Sequence, residues 1–227
     1  ARLLCIGTPE YSQVLADISD APPVIWARGR VDLLLRDSVA LVGARNASSL
    51  GTRMAKLLAS DLGKAGYVVT SGLARGIDAA AHHAALPTGT IAVMAGGVDV
   101  IYPVENQKLA DEIAETGLLI SEQPMGLAPQ ARHFPRRNRI VSGLSRAVVV
   151  VEGAAKSGSL ITAREAADQG RDVMAVPGHP LDTRATGCNM LIRDGAVLVR
   201  SASDVIEALG VPQQAPRPDP IVPSRLT

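Results

Sequence analysis

From residue 39 onward the chain alternates short apolar, β-branched runs with longer stretches of helical periodicity. The apolar runs fall at 39–42, 67–70, 90–94, 118–120, 147–151 and 173–176. Helical patterns lie between them near 51–65, 77–86, 105–116, 138–144 and 159–169, each long enough for a crossover between parallel strands. Ala147-Val148-Val149-Val150-Val151 is apolar without alternation, as a strand covered on both faces must be. The pattern predicts an α/β fold: a doubly wound, mostly parallel sheet with helices on both faces. A last helix, about 203–209, opens at Ser201-Ala202-Ser203-Asp204, which has the S-x-x-D form of a capping box. Residues 1–38 read as an appendage that wraps or extends the sheet of a domain at 39–209. Residues 210–227, with five prolines, read as a linker or tail.

Composition sharpens this picture. One Trp, one Phe and three Tyr leave the core to Val, Leu, Ile and Ala. A formal net charge of +1 means that affinity for a polyanion has to come from a local patch. The basic residues are mostly Arg, with Lys only at 56, 64, 108 and 156; Arg suits bidentate phosphate contacts, although codon bias gives the same excess. Cys5 and Cys188 form no CxxC pair, which fits a reducing compartment. Residues 1–6 are too short an apolar run for a signal peptide, and no stretch approaches the roughly 20 residues that span a bilayer. A cytoplasmic protein with no membrane contact is expected. The chain begins without Met, which reads as an excised fragment or a processed form.

Each predicted strand runs into a small or polar loop: Gly43-Ala44-Arg45-Asn46, Ser71-Gly72-Leu73-Ala74-Arg75-Gly76, Ala95-Gly96-Gly97, Ser121-Glu122 and Glu152-Gly153-Ala154-Ala155-Lys156-Ser157-Gly158. In a parallel sheet these loops share the carboxyl edge, where such folds bind ligands. Glycine there allows close approach of backbone to phosphate, and the helix N-termini behind supply N–H groups. One such loop is weak testimony, because a tight strand–helix turn needs glycine anyway. Several on one edge, with Arg45, Arg75 and Lys156 among them, predict a phosphate-binding rim. The rim carries neither G-x-G-x-x-G after the first strand nor G-x-x-x-x-G-K-[ST], so NAD and ATP sites of the usual kinds are disfavoured and no cofactor is expected.

The most informative segment is Arg132-His133-Phe134-Pro135-Arg136-Arg137-Asn138-Arg139. No acidic residue occurs between Glu122 and Glu152, and the only Phe of the chain lies inside this basic cluster. Arg for phosphates beside an aromatic face for a base are the working parts of a single-strand nucleic-acid site. The alternative is that Phe134 and Pro135 plug a core gap while the Arg residues solvate or bridge a loop. Nucleophilic catalysis finds little support: Gly143-Leu144-Ser145-Arg146-Ala147 precedes a strand, whereas a nucleophile elbow follows one. His82 and His83 point to different helix faces, and His133 and His179 are expected in loops, so no metal site is predicted. Asp78 and His82, four apart, could pair to fix a helix start.

Taken together, these segments resemble the DNA-processing protein A family across about residues 20–209. The matching stretches are Val42-Gly43-Ala44-Arg45, Ser71-Gly72-Leu73-Ala74-Arg75-Gly76-Ile77-Asp78, Tyr102-Pro103-Val104-Glu105-Asn106, Phe134-Pro135-Arg136-Arg137-Asn138-Arg139, Lys156-Ser157-Gly158-Ser159 and Gly187-Cys188-Asn189. The resemblance implies an extended Rossmann domain that binds single-stranded DNA as a homodimer. It also implies loading of the recombinase RecA onto incoming DNA in natural transformation, with no catalysis. The family's pocket maps onto Arg45, Phe134, Arg137 and Arg139, with Arg132, Arg136 and Lys156 as neighbours. Gly43, Ser71, Gly72, Arg75, Asn138 and Ser157 complete the expected DNA-binding set. Domains that many members carry before and after the sheet are expected to be absent or truncated here. Two rivals remain. One is a nucleotide-cleaving enzyme of the lysine-decarboxylase-like group, of whose loop Thr162 and Glu165 survive without the glycines around them. The other is a small-nucleotide sensor.

Overall fold

The computed structural model describes residues 1–212. Its strands are β1 (Arg2–Cys5), β2 (Val24–Gly29), β3 (Ser38–Gly43), β4 (Val68–Ser71), β5 (Thr90–Val93), β6 (Leu118–Ser121), β7 (Ala147–Glu152), β8 (Asp172–Ala175) and β9 (Val197–Leu198). The helices are α1 (Gln13–Ala16), α2 (Ser49–Lys64), α3 (Ile77–Ala85), α4 (Gln107–Thr116), α5 (His133–Gly143), α6 (Ser159–Asp168), α7 (Thr186–Arg193) and α8 (Ala202–Leu209). All nine strands join one sheet in the order β1-β2-β6-β5-β4-β3-β7-β8-β9. The pairs β1·β2 and β2·β6 are antiparallel, and the remaining pairs are parallel. This is the doubly wound, mostly parallel α/β sheet that the apolar pattern predicts.

Side chains of β3 alternate between two cores, as strand geometry requires. Ala40 and Val42 face a layer built on α1, α5, α6 and α7, with Leu15, Ile140, Leu160 and Cys188 buried in it. Val39 and Leu41 face the opposite layer of α2, α3 and α8, with Leu58, Ile77 and Val205. Burying one such aliphatic side chain is worth about 1.5–3 kcal/mol. A third cluster sets Leu109 and Ile113 of α4 against Leu119 and Met94. At the start of α8, the Asp204 carboxylate accepts from the backbone N–H of Ser201 at 3.2 Å, the contact its sequence predicts.

Several elements escape the sequence pattern. β1 has only four residues, and β2 follows Pro22-Pro23 and ends in Arg28-Gly29, so neither gives a long apolar run. α7 begins beside Gly187, and β9 has two residues. The largest correction concerns α5, expected near 138–144 but starting at His133. Pro135 falls in its first turn, where a missing N–H costs nothing. His133 is therefore helical rather than in a loop. Most of the predicted 210–227 tail lies outside the described residues.

The expected pairing of Asp78 with His82 is not made, because each has another partner. Asp78 accepts from the backbone N–H groups of Gly72 and Ala74, at 3.1 and 3.3 Å. His82 Nδ1 lies 2.7 Å from Thr90 Oγ1, which itself donates to the Val69 carbonyl at 2.8 Å. The Thr hydroxyl proton is thus committed to Val69, and His82 Nδ1 must be the donor. Burial drives the His82 pKa from 6.5 down to about 3, with the positive charge of Arg137 adding to the effect. The unfolded chain takes up this proton near pH 6.5 while the folded chain refuses it until about 3. Folding stability must therefore fall as pH drops through that window, by up to about 1.4 kcal/mol per pH unit from this group. Urea unfolding at stepped pH should show a shallower acid slope for His82→Gln than for the parent; identical slopes would contradict the assignment.

Candidate nucleic-acid interface

The direction of winding reverses between β3 and β7: β4, β5 and β6 follow on one side of β3, β7, β8 and β9 on the other. Ligands of open α/β sheets bind in the crevice outside the strand ends at such a switch point. A groove of about 850 Å³ lies there, lined by Gly43, Arg45, Phe134, Arg137, Lys156 and Ser157, among others including Asn138. A second depression of about 220 Å³ adjoins it and shares Arg45, Phe134 and Arg137; Gly72, Arg75 and Tyr102 line its other walls. Nine of the thirteen expected residues thus converge on two connected hollows.

Helical geometry sorts the basic cluster. Phe134, Arg137, Asn138 and Val141 recur at helical spacing on the face of α5 that lines the groove. Arg136 and Arg139 lie on another face, where both approach Glu122. Arg139 is buried, hydrogen-bonded to Glu122 and paired with Asp20 at 3.2 Å. It ties α5 to the amino-terminal segment and lines neither hollow. The expectation that it contacts phosphate meets this geometry badly: a loop would leave every Arg free to turn outward, whereas a helix fixes its direction. Ser71 is also structural in its contacts, donating to the Leu41 carbonyl at 2.6 Å while fully buried. Arg132 and Arg136 are exposed near the start of α5, and Arg75 pairs loosely with Glu105 at 3.6 Å.

At the centre, the Arg45 guanidinium lies 5.5 Å from the centroid of the Phe134 ring, and the Tyr102 ring is 5.6 Å away, tilted by 58°. Phe134 is half-buried, with a face toward the groove. Its neighbour Arg137 is only 7 % exposed, and its Nε hydrogen-bonds to no group among the described residues. Desolvation lowers its pKa from the ordinary value; the Asp78 carboxylate opposes that shift and Arg45 reinforces it. Asp78 is pushed the other way by its own burial, with the Arg137 charge and the N–H groups of Gly72 and Ala74 holding it back. Room for the guanidinium comes from Gly72, where an added Cβ would fall 1.3 Å from Arg137 Nη1.

Across the groove, Glu152 closes the N-terminus of α2. The β3·β7 register slips between Val42 and Gly43, so that Gly43 pairs with Glu152. The carboxylate accepts from Ser48 N at 3.1 and 3.2 Å and from Ser48 Oγ at 2.6 Å, and Ser48 Oγ in turn accepts from Gly51 N at 2.9 Å. An anion of the protein's own thus occupies the helix terminus that holds phosphate in many mononucleotide sites. Glu165 lies beside Asp20, Asp168 and Arg139 rather than in the groove.

Sequence reasoning did not single out Tyr102 or Arg184 as site residues. Tyr102 lies in a family-like stretch after the β5 loop, which was a usable signal. Arg184 lines the groove from a distant loop and pairs with Asp182, and nothing in its local sequence announces this. No group of three or more His, Cys, Asp or Glu able to hold a metal occurs among the described residues. No helix among them is long and apolar enough to cross a membrane.

Comparison with known proteins places this geometry in context. The chain is 45 % identical over 207 residues to the DNA processing protein DprA of Bacillus subtilis, covering 90 % of this chain and 70 % of that protein. The X-ray structure of DNA processing protein A from Streptococcus pneumoniae superposes with a TM-score of 0.87 at 44 % identity, over 91 % of this chain and 73 % of that one. DNA processing protein A of Helicobacter pylori, whose structure was described for its single-stranded DNA binding mode, gives 0.84 at 30 % identity, over 92 % and 95 %. The family model for DNA recombination-mediator protein A matches residues 2–210, which span every strand and helix described above. By that match and these relatives, the chain belongs to the DNA recombination-mediator protein A family.

Proposed function

We propose that this chain binds single-stranded DNA in the crevice at the β3/β7 switch point and, as a cytoplasmic homodimer, loads RecA onto that DNA during natural transformation. The observation that carries the binding reading is the Arg137 guanidinium: nine-tenths buried, without a hydrogen-bond partner at Nε among the described residues, and beside a second cation at Arg45. Desolvating a guanidinium is costly unless charge and hydrogen bonds compensate it. A phosphate between Arg137 and Arg45 supplies both. Phe134 then offers a ring for a base once Arg45 swings from it to the phosphate, and stacking of that kind is worth about 1–3 kcal/mol per base. Gly43, Asn138, Lys156 and Ser157 extend the contact along the groove, and Gly72 and Arg75 line the smaller hollow. Arg132 and Arg136 add positive charge at the start of α5. The relatives named DNA processing protein A, one of them described binding single-stranded DNA, favour the same reading.

The nucleotide-cleaving rival is disfavoured by two features. Glu152 blocks the α2 terminus, and Glu165 does not line the crevice. A nucleoside monophosphate incubated with the protein should release no free base by chromatography. Protein-dependent release would bring the enzyme reading back.

Fluorescence anisotropy with labelled oligo-dT tests the binding site. Arg45 is exposed, so Arg45→Ala should fold as the parent does yet bind at least about tenfold more weakly, as the loss of a charged hydrogen bond implies. Affinity of the parent should fall with salt at about −0.7 per phosphate contacted on a log–log plot. Gly72→Ala, whose methyl must displace the Arg137 guanidinium, should weaken binding to a similar extent with a smaller effect on the melting temperature. Equal binding by parent and variants, or equal binding to duplex, would reject this site.

A further inference from the structure

Beyond the crevice, a second basic surface lies on the outer face of α2. Arg53 and Lys56 are exposed there, three residues apart, and neither pairs with a carboxylate among the described residues. They line an open groove of about 710 Å³ together with Ser49, Thr52, Ser60 and Ala84 of α3. The groove begins at Ala47, and its chain neighbour Asn46 lines the crevice. The two depressions therefore meet at the loop that carries Arg45.

Three properties of this surface fit a polyanionic strand. Its lining carries no opposing charge: no acidic residue occurs from Asn46 to Ser60 or from 79 to 89, Asp78 is buried, and Asp61 at the far end of α2 is paired with Lys64. It offers hydroxyl donors of the kind that contact phosphate oxygens. It is also long, since Ser49 to Ser60 covers about 16 Å at the rise of an α-helix. The exposed Leu50 and Leu57 would give a protein partner some apolar foothold. The uncompensated cations and the continuity with the Arg45 loop favour nucleic acid.

We infer that a single strand leaving the crevice past Arg45 continues along α2, with its phosphates against Arg53 and Lys56. This track rests on the reading of the crevice as a single-strand site. It makes α2 a second contact zone that only longer strands reach.

The test is anisotropy on the intact chain with labelled oligo-dT of two lengths: about 6 nucleotides, to fill the crevice, and about 20, to run beyond it. The Arg53→Ala/Lys56→Ala variant changes only exposed side chains, and its melting temperature should match the parent's. It should bind the short strand as the parent does and the long strand roughly three- to tenfold more weakly at low salt. Its log–log salt slope for the long strand should be shallower by about 1.4, two phosphate contacts' worth. The same affinities and slopes as the parent at both lengths would overturn the track while leaving the crevice intact. Equal weakening at both lengths would also overturn it, by making the two cations a general field. If the parent binds no single strand of either length, the crevice reading itself falls and the track with it.

Discussion

The guanidinium of Arg137 is held nine-tenths out of water, and much of the carboxyl edge of the sheet is arranged around that constraint. Gly72 leaves the space, because any side chain there would collide with the Arg137 Nη1. Asp78 supplies opposite charge from the first turn of α3, and the N–H groups of Gly72 and Ala74 stabilise its carboxylate in turn. The compensation is incomplete. Nε has no hydrogen-bond partner among the described residues and Arg45 adds like charge close by, so the pocket is electrostatically poised for an anion from outside.

The same edge treats its two best anion positions differently. At the α2 terminus the protein supplies its own carboxylate, Glu152, brought into register by the slip between β3 and β7. Beside α5 it leaves cations exposed or unsatisfied next to an aromatic ring. A mononucleotide site uses the first kind of position, whereas a site for a strand of phosphates and splayed bases uses the second. On the proposed reading, one fold closes the position usual for its topology and turns a neighbouring surface toward a longer ligand.

Much of this was legible in the chain. The unbroken apolar run of 147–151 and the alternating crossovers identify a parallel, doubly wound sheet. The small residues at the strand ends locate its binding edge. What could not be read was direction. Arg137 and Arg139 are two residues apart in sequence, yet helical geometry sends one toward the groove and the other to Glu122 and Asp20. The helix expected near 138–144 was started too late, because a proline's place in a first turn is settled only by where the helix begins. Tyr102 and Arg184 reach the site through tertiary folding of distant loops, and local pattern carries no information on that. β1 and β2 were hidden for a related reason: β1 is defined by its pairing with β2, and β2 by its pairing with β6, rather than by their own periodicity.

The most direct test of the account is a crystal structure with a short oligo-dT bound. It should place a backbone phosphate within hydrogen-bond distance of both Arg45 and Arg137, with a base against the Phe134 ring and Arg45 turned away from it. A strand bound elsewhere, or one that leaves Arg137 without a phosphate, would contradict the claim that this buried guanidinium is the centre of the site.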